Sequence, residues 1–263
     1  MLLGVNPSNS LDDMKKKRHS FCASELARIY NASFFAEWGR GNQAYVASAG
    51  VIVEVLFEKF APGRVIDLGC GCGVYSHFFC QKNVALVAVD GVRPPREHAF
   101  EIPVEIRDLS VPFENVWGAF DLALCLDVGE HIYEEDCDAF LSNVTNFSDR
   151  LLMSCAPPGQ GGHHHVNEQP KRYWIERLRR HGFCYDRRRT GELCETFKIR
   201  RTELMWMWEH ISVYNRDLST VILNPGSQKE DERHRNTDCP HRPVGAARSV
   251  RAHQVHQGAH DGR

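Results

Sequence analysis

The sequence predicts an α/β fold in which helices cover both faces of a doubly wound, mostly parallel sheet. From residue 64 onward, short apolar runs typical of buried strands alternate with amphipathic segments of helical period. The apolar runs lack a polar face, which favours strands buried on both sides. We predict strands at residues 64–68, 85–90, 104–107, 120–127, 150–156 and 183–185, and helices at residues 75–82, 134–146 and 170–181.

Two helices are predicted before the first strand. Residues 24–38 carry apolar side chains near one helical face, and Gly39 ends that segment. Residues 45–60 form a second amphipathic helix, which Pro62 and Gly63 end. After the last predicted strand, residues 206–223 are rich in aromatic and aliphatic side chains and are expected to close the sheet as an edge element.

The chain divides into three parts by composition. Residues 1–20 are polar and lysine-rich and are expected to form a flexible arm, and residues 21–225 form the folded domain. Residues 226–263 lack Leu, Ile and aromatic side chains, so they cannot bury enough surface to offset their ordering entropy. We therefore expect a disordered tail rich in His and Arg.

Charge and hydropathy exclude several classes of protein. With 263 residues and a net charge of −2, the chain lacks the global basic field typical of nucleic-acid-binding proteins. Its apolar stretches are shorter than the roughly 20 residues that a membrane-spanning helix needs. The ten cysteines are scattered and no secretory signal is visible, which favours a reduced, cytoplasmic location. The oligomeric state is not constrained.

The most informative stretch is residues 65–73, which reads VIDLGCGCG. A buried strand leads into three glycines at alternate positions, which permit a tight turn and close approach of a ligand to the backbone. The helix that follows offers its N-terminal amides to an anionic group. Asp90 ends the next apolar run, where a carboxylate can accept hydrogen bonds from ribose hydroxyls.

The spacing G-x-G-x-G after an aspartate resembles the first motif of class I S-adenosylmethionine-dependent methyltransferases. Dinucleotide-binding proteins prefer G-x-G-x-x-G, whose third glycine is replaced here by Val74, so an NAD-type oxidoreductase is a distant alternative. Another alternative is that the glycine turn only shapes the backbone and binds no ligand. The methyltransferase resemblance covers about residues 40–225 and implies a Rossmann-like sheet of seven strands.

The resemblance implies a set of residues that bind S-adenosylmethionine. In that family the acid before the glycines lies near the methionyl end, the second-strand acid holds the ribose, and a third-motif acid reaches the adenine amino group. The third motif resembles residues 104–109, VEIRDL, which gives that role to Asp108. The implied cofactor-binding residues are Asp67, Gly69, Cys70, Gly71, Gly73, Asp90, Gly91, Asp108, Leu109 and Asp127.

Acids and histidines follow the fourth and fifth predicted strands, at the sheet edge where open α/β folds bind ligands. Because a neutral imidazole can accept a proton from a hydroxyl acceptor, the candidate catalytic residues are Glu130, His131, His163, His164 and His165. The pattern Asp127-x-x-Glu130-His131 also resembles the metal set of small-RNA 3′-end and ubiquinone-pathway O-methyltransferases. That resemblance implies Mg²⁺ or Mn²⁺ at these three residues, although Asp127 is one methylene shorter than the usual acid. The alternative is that Glu130 and His131 cap a helix starting near Tyr133 and line the cofactor pocket without a metal.

Residues 157–174 form a distinctive loop with the elements PGQGG, HVNEQ and YW. It resembles the loop of microbial and phage methyltransferases linked to sugar or surface-polysaccharide modification. Glycine flexibility, hydrogen-bonding side chains and an aromatic platform from Tyr173 and Trp174 would suit a polyhydroxylated acceptor. The predicted function is therefore O-methylation of a small-molecule or glycan hydroxyl. The alternatives are an RNA-end 2′-O-methyltransferase with a divalent metal and a non-catalytic protein of the same fold.

Overall fold

The computed structural model of the chain describes residues 23–217. The predicted arm at residues 1–20 and the predicted tail at residues 226–263 lie outside the described residues, as do residues 218–223 of the predicted edge element. The division of the chain into these three parts stays a prediction.

A seven-stranded sheet forms the centre of the molecule, with strand order β3-β2-β1-β4-β5-β7-β6. The five strands from β3 to β5 are paired in parallel, whereas β7 is antiparallel to both of its neighbours. The predicted doubly wound, mostly parallel fold is confirmed. The strands are β1 (Arg64–Leu68), β2 (Ala85–Asp90), β3 (Val104–Ile106), β4 (Leu122–Leu126), β5 (Arg150–Ser154), β6 (Phe183–Tyr185) and β7 (Ser212–Arg216).

Helices cover both faces of this sheet. They are α1 (Ala23–Ile29), α2 (Ala32–Glu37), α3 (Gln43–Phe60), α4 (Val74–Gln81), α5 (Cys137–Val144), α6 (Lys171–Arg180) and α7 (Arg187–Ile199). Helices α3, α4 and α7 pack on one face and α5 and α6 on the other. Short 3₁₀ turns occur at Gly129–His131, Glu134–Asp136 and Trp206–Glu209.

Strand β4 shows why the strands read as continuous apolar runs. All five of its residues are buried. Leu122, Leu124 and Leu126 belong to the core beneath α3 and α4, whereas Ala123 and Cys125 belong to the core beneath α5 and α6. Because successive side chains point to opposite faces, a strand covered on both sides must be apolar throughout.

Two elements differ from the sequence-based expectation. The single helix predicted at residues 24–38 was wrong: it is two helices, because the Asn31 side chain caps α2 by accepting hydrogen bonds from the backbone N–H groups of Ser33 and Phe34. The expectation that residues 206–223 form an edge element of the sheet was also wrong. Strand β7 is inserted between β5 and β6, and its Tyr214 is only 2% exposed.

Among residues 23–217, no helix combines the length and the apolar character needed to cross a bilayer. The cytoplasmic location stays a prediction.

Two glycines of this fold should respond in opposite ways to an added methyl group. In Gly129→Ala the new Cβ would lie 2.6 Å from Cys155 Sγ and 2.8 Å from the Trp174 ring, both in the core, so we expect a loss of about 1–3 kcal/mol in the free energy of unfolding. In Gly191→Ala, inside α7, nothing lies within 4 Å of the new Cβ, so we expect a gain of about 0.5–1 kcal/mol. Urea unfolding of both variants measures these changes. Equal effects of the two substitutions would contradict the described packing of the Gly129 turn.

Candidate functional site

The glycine loop between β1 and α4 lies against the segment that follows β4. Gly69, Gly71 and Gly73 all have positive φ, at 82°, 53° and 71°. A Cβ on Gly69 would overlap Val128 Cγ2, so this position needs glycine both for its backbone conformation and for the close approach of the two segments. The backbone of Gly69, Cys70 and Gly71 is thereby exposed to a crevice at the carboxyl end of the sheet.

Asp90, at the end of β2, is held by the glycine loop. Its carboxylate accepts hydrogen bonds from the backbone N–H groups of Gly71 at 2.8 Å and Val92 at 2.9 Å. Burial raises the pKa of this carboxyl, and these hydrogen bonds oppose the rise. The side chain stays partly exposed to the crevice, where a sugar diol would meet it.

Two cavities make up the crevice. The small cavity, of about 140 Å³, is lined by Leu26 of α1, by Tyr30 between α1 and α2, and by Asp90, Gly91, Asp108 and Leu109. The large cavity, of about 520 Å³, extends from the glycine loop towards the segments that follow β4 and β5. The cavities share six lining residues, namely Phe34, Phe35, Gly69, Gly71, Asp127 and His131.

Asp67 and Gly73, predicted to bind the cofactor, line neither cavity among the described residues. Asp67 is 2% exposed and lies behind the loop, where Ser76 donates a 2.6 Å hydrogen bond to its carboxyl group. Burial raises the pKa of Asp67 to about 7. Gly73 precedes the first residue of α4. Both residues shape the loop from behind in this structure.

Asp108 lies in the small cavity, as its predicted adenine-binding role requires. One of its oxygens accepts hydrogen bonds from the backbone N–H and the hydroxyl of Ser110, at 2.9 and 2.6 Å. These bonds fix the side chain at the end of β3.

The polar wall of the large cavity begins where β4 ends. Asp127 has a positive φ of 54°, and its carboxylate accepts a 2.7 Å hydrogen bond from the Ser154 hydroxyl on β5. Glu130 is 1% exposed, and its Oε2 has no hydrogen-bond partner among the described residues. Burial raises the pKa of Glu130 well above its usual range, and the nearby Asp127 carboxylate adds to the effect.

His131 is held at the same turn. Burial lowers the pKa of its imidazole to about 4, and its Nδ1 lies 3.2 Å from the carbonyl oxygen of His164. The alternative that Glu130 and His131 cap a helix starting near Tyr133 was wrong, because α5 begins only at Cys137 and its N-cap residue is Asp136. Both residues do line the large cavity.

The three consecutive histidines have three different environments. His163 Nε2 lies 2.7 Å from the carbonyl oxygen of Ile29, which joins the loop to α1, and its ring lies 5.1 Å from that of Phe34. The backbone oxygen of His164 faces His131. His165 Nδ1 lies 2.9 Å from Glu168 Oε1. Of the three, His163 and His165 line the large cavity.

Glu130, His131 and His165 each offer a ligand atom within 4.8 Å of the others. Two of the three metal ligands predicted from sequence are in this group. Asp127 is not, because its carboxylate is directed to Ser154. Sequence reasoning missed His165 as the third member, since the fold of residues 159–168 brings it there.

The aromatic wall of the large cavity comes from the N-terminal helices and α4. It consists of Phe34, Phe35, Trp38, Tyr45 and Tyr75. The predicted platform of Tyr173 and Trp174 was wrong: Trp174 is 3% exposed in the core beneath α6, and the Tyr173 hydroxyl lies 3.5 Å from Cys137 Sγ. Trp174 lies on the buried face of α6, and the Tyr173 ring is partly buried with the Arg177 guanidinium 4.7 Å from its centroid.

Comparison with known proteins shows that the chain is similar to ubiquinone biosynthesis O-methyltransferases. It is 28% identical over 118 residues to that of Pseudomonas aeruginosa PAO1, and the match covers 42% of this chain and 47% of the relative. It is 27% identical over 125 residues to that of Azotobacter vinelandii, and the match covers 44% of this chain and 50% of the relative. The chain thus spans about half the length of these curated relatives. No protein-family profile matches it.

Among solved structures, the PH0226 protein of Pyrococcus horikoshii OT3 shares the fold, with a TM-score of 0.50 and 16% identity over 72% of this chain and 98% of that one. The sheet order and this structural match show that the chain has the fold of the class I S-adenosylmethionine-dependent methyltransferases, and its sequence is distantly similar to O-methyltransferases of that fold.

The raised pKa of Asp67 predicts a pH dependence of stability. An aspartate in an unfolded chain has a pKa of about 3.9, so the folded protein holds the proton more tightly. This contribution to stability is complete below about pH 4 and is lost as the pH rises through about 7. Asp67→Asn, a neutral isostere, should therefore gain about 1–3 kcal/mol relative to the wild type between pH 5 and pH 8.

Thermal unfolding at the two pH values measures this difference. Ile52→Val, which removes a methyl group from the core, is the control and should lower the Tm equally at both pH values. A constant Tm difference between Asp67→Asn and the wild type would show that Asp67 does not hold a proton near neutrality.

Proposed function

We propose that the protein transfers the methyl group of S-adenosylmethionine to a hydroxyl oxygen of a small-molecule or sugar acceptor. The observation that carries this proposal is the continuous crevice from Asp90 to the imidazoles of His131 and His165. The small cavity at one end offers carboxylates and exposed backbone to a nucleoside. The large cavity at the other end offers aromatic rings and imidazoles to a hydroxyl acceptor.

The small cavity suits the nucleoside. Asp90 is fixed by two backbone hydrogen bonds and keeps lone pairs for a ribose diol, while Asp108 and Leu109 border the position of a base. Exposed backbone at Gly69 and Gly71 allows the remainder of the cofactor to pass close to the loop. Asp67 and Gly73 support the site from behind the loop.

The large cavity suits an uncharged, ring-containing acceptor. Its aromatic wall faces a polar wall of carboxylates and imidazoles, a combination that binds the face of a ring and its hydroxyl groups. Lys and Arg are absent from the described residues that line it. This composition argues against the RNA-end alternative, because phosphates are bound chiefly by basic side chains.

The base that removes the hydroxyl proton is His131 or His165. Each ring has its Nδ1 directed at an acceptor oxygen, which leaves Nε2 as the atom that takes a proton. His163 is a weaker candidate because its Nε2 is directed at the Ile29 carbonyl, and His164 does not line the large cavity.

A divalent metal at Glu130, His131 and His165 is a second candidate for this step. The three residues converge, and the Nδ1 contacts of both histidines are the outer-shell contacts that metal-binding imidazoles usually make. A buried, unpartnered carboxylate oxygen on Glu130 also fits a cation. Bound there, Mg²⁺ or Mn²⁺ would lower the pKa of an acceptor hydroxyl.

Cofactor binding is tested by calorimetry with S-adenosylhomocysteine. Asp90→Ala should weaken binding at least tenfold, because charge-assisted hydrogen bonds to a diol are worth about 1.5–3 kcal/mol. Glu105→Gln, an exposed carboxylate on the neighbouring strand β3, is the control and should bind like the wild type. The proposal would be falsified if folded wild-type protein bound no S-adenosylhomocysteine.

Activity is tested by incubating the protein with a small-molecule cell extract and radiolabelled S-adenosylmethionine, followed by identification of the labelled compound. A labelled hydroxyl supports the proposal. If the cofactor binds but neither small molecules nor RNA become labelled, the non-catalytic alternative is supported instead.

Metal binding is tested with Mn²⁺ and chelator-treated protein, by electron paramagnetic resonance. We expect one ion per chain and an at least tenfold weaker affinity in Glu130→Gln, which removes the anionic donor. Glu105→Gln, which removes an exposed carboxylate on β3, is the control and should keep the wild-type affinity. A wild-type protein that does not bind Mn²⁺ would leave an imidazole as the base.

A further inference from the structure

The loop of residues 159–168, here called the histidine loop, forms part of the wall of the large cavity. Gln160, Gly161, Gly162, His163 and His165 all line that cavity. The loop contains neither a helix nor a strand. Its C-terminal part is held by the backbone N–H groups of Val166 and Asn167, which donate hydrogen bonds to the carbonyl oxygen of Glu130. The part from Gly159 to His165 depends on side-chain contacts with its own backbone.

Glu168 supplies those contacts. Its Oε2 accepts a 2.8 Å hydrogen bond from the backbone N–H of Gly159, and its Oε1 accepts one of 2.6 Å from the N–H of Gly161. The same Oε1 lies 2.9 Å from His165 Nδ1. One carboxylate thus joins both ends of the loop to the imidazole that the loop presents.

The ring of His165 is held from a second side by Gly162. A Cβ on Gly162 would overlap Cε1 and Nε2 of this ring, so only glycine leaves room for the ring to lie against the backbone. The His165 side chain is 12% exposed and that of Glu168 is 18% exposed. The contact between them is therefore largely shielded from solvent, which strengthens a charge-assisted hydrogen bond.

This geometry determines the tautomer of His165. A carboxylate accepts hydrogen bonds and does not donate them, so the proton of the neutral ring must lie on Nδ1. Nε2 then carries the lone pair, on the side of the ring away from Glu168. His131 is oriented by a carbonyl at a longer distance of 3.2 Å, which is a weaker constraint.

We infer that Glu168 is a positioning residue for methyl transfer: it holds His165 with Nδ1 protonated and the Nε2 lone pair available to the large cavity. The inference rests on the proposed function for its role in the reaction. It applies equally to an imidazole that takes the acceptor proton and to one that binds a metal ion, because both require the same lone pair.

The tautomer is measured by two-dimensional ¹H–¹⁵N NMR of the histidine rings in the full-length, metal-free protein at pH 8. His165→Gln, which lacks the signal, assigns it. We expect the wild type to show the Nδ1–H form, and Glu168→Gln to shift the population towards the Nε2–H form that an unconstrained imidazole favours. A wild-type ring in the Nε2–H form, or an unchanged spectrum in Glu168→Gln, overturns the inference.

The effect on the reaction is measured by the initial rate of labelling of the same cell extract. Glu168→Gln should lower the rate about 10–100-fold, the usual effect of losing a residue that orients an imidazole. Gly162→Ala displaces the same ring from its other side and should lower the rate as well. Glu176→Gln, an exposed glutamate on α6 paired with Arg172, is the matched control and should keep the wild-type rate. A wild-type rate in both Glu168→Gln and Gly162→Ala overturns the role in the reaction.

Calorimetry with S-adenosylhomocysteine separates this inference from the proposed function. Glu168 lines neither cavity, so Glu168→Gln should keep the wild-type affinity for this ligand. Failure of wild-type protein to bind it would defeat the proposed function but would leave the NMR result intact. Normal binding with the Nε2–H tautomer in the wild type would defeat the inference alone.

Discussion

The site depends on the parallel pairing of β1 with β4, which brings the carboxyl ends of the two strands to the same edge of the sheet. The chain leaves β1 towards α4 on one face and leaves β4 towards α5 on the other. A crevice opens where neighbouring strands connect to opposite faces. The contact of Gly69 with Val128 brings the two outgoing segments together at this point, and a larger residue at position 69 would separate them.

Three carboxyl groups around this crevice, two of them buried and one partly exposed, form no ion pair with Lys or Arg among the described residues. Burial raises the pKa of Asp67, Asp90 and Glu130, since the charged form is disfavoured away from water. Such groups cost stability in a free protein, and a cation bound among them would favour their ionised forms. The sulfonium of S-adenosylmethionine is a cation, and a divalent metal is another, so this charge distribution supports the proposed function.

The N-terminal helices and the histidine loop complete the crevice from outside the sheet. Tyr30, between α1 and α2, and Phe34 of α2 line the small cavity, and the loop contacts α1 through His163 and the Ile29 carbonyl. A reaction between a sulfonium and a hydroxyl benefits from such enclosure, because excluding water strengthens the electrostatic interactions inside. The aromatic rings from α2 and α3 and the imidazoles from the loop then form opposite walls of one cavity.

The strands, most helices and the nucleoside end of the crevice were predictable because the signals for them are local. Apolar runs identify buried strands, and a glycine loop followed by an acid at the end of the next strand identifies a nucleotide-binding edge. Asp90 and Asp108 therefore lie in the crevice as predicted, although their binding roles stay proposals. The break at Asn31 shows the limit of periodicity, which does not detect a side chain that caps the next helix.

By itself, the amino-acid sequence determined the alternation of strands and helices, the glycine turn and the presence of acids and histidines near the ends of β4 and β5. Only the tertiary structure decided which of them meet. It directed Asp127 to Ser154, brought His165 to Glu130 and His131, and placed Tyr173 and Trp174 away from the large cavity. The physical reason is that these contacts join segments distant in sequence, and their geometry depends on backbone turns and packing that no local pattern encodes.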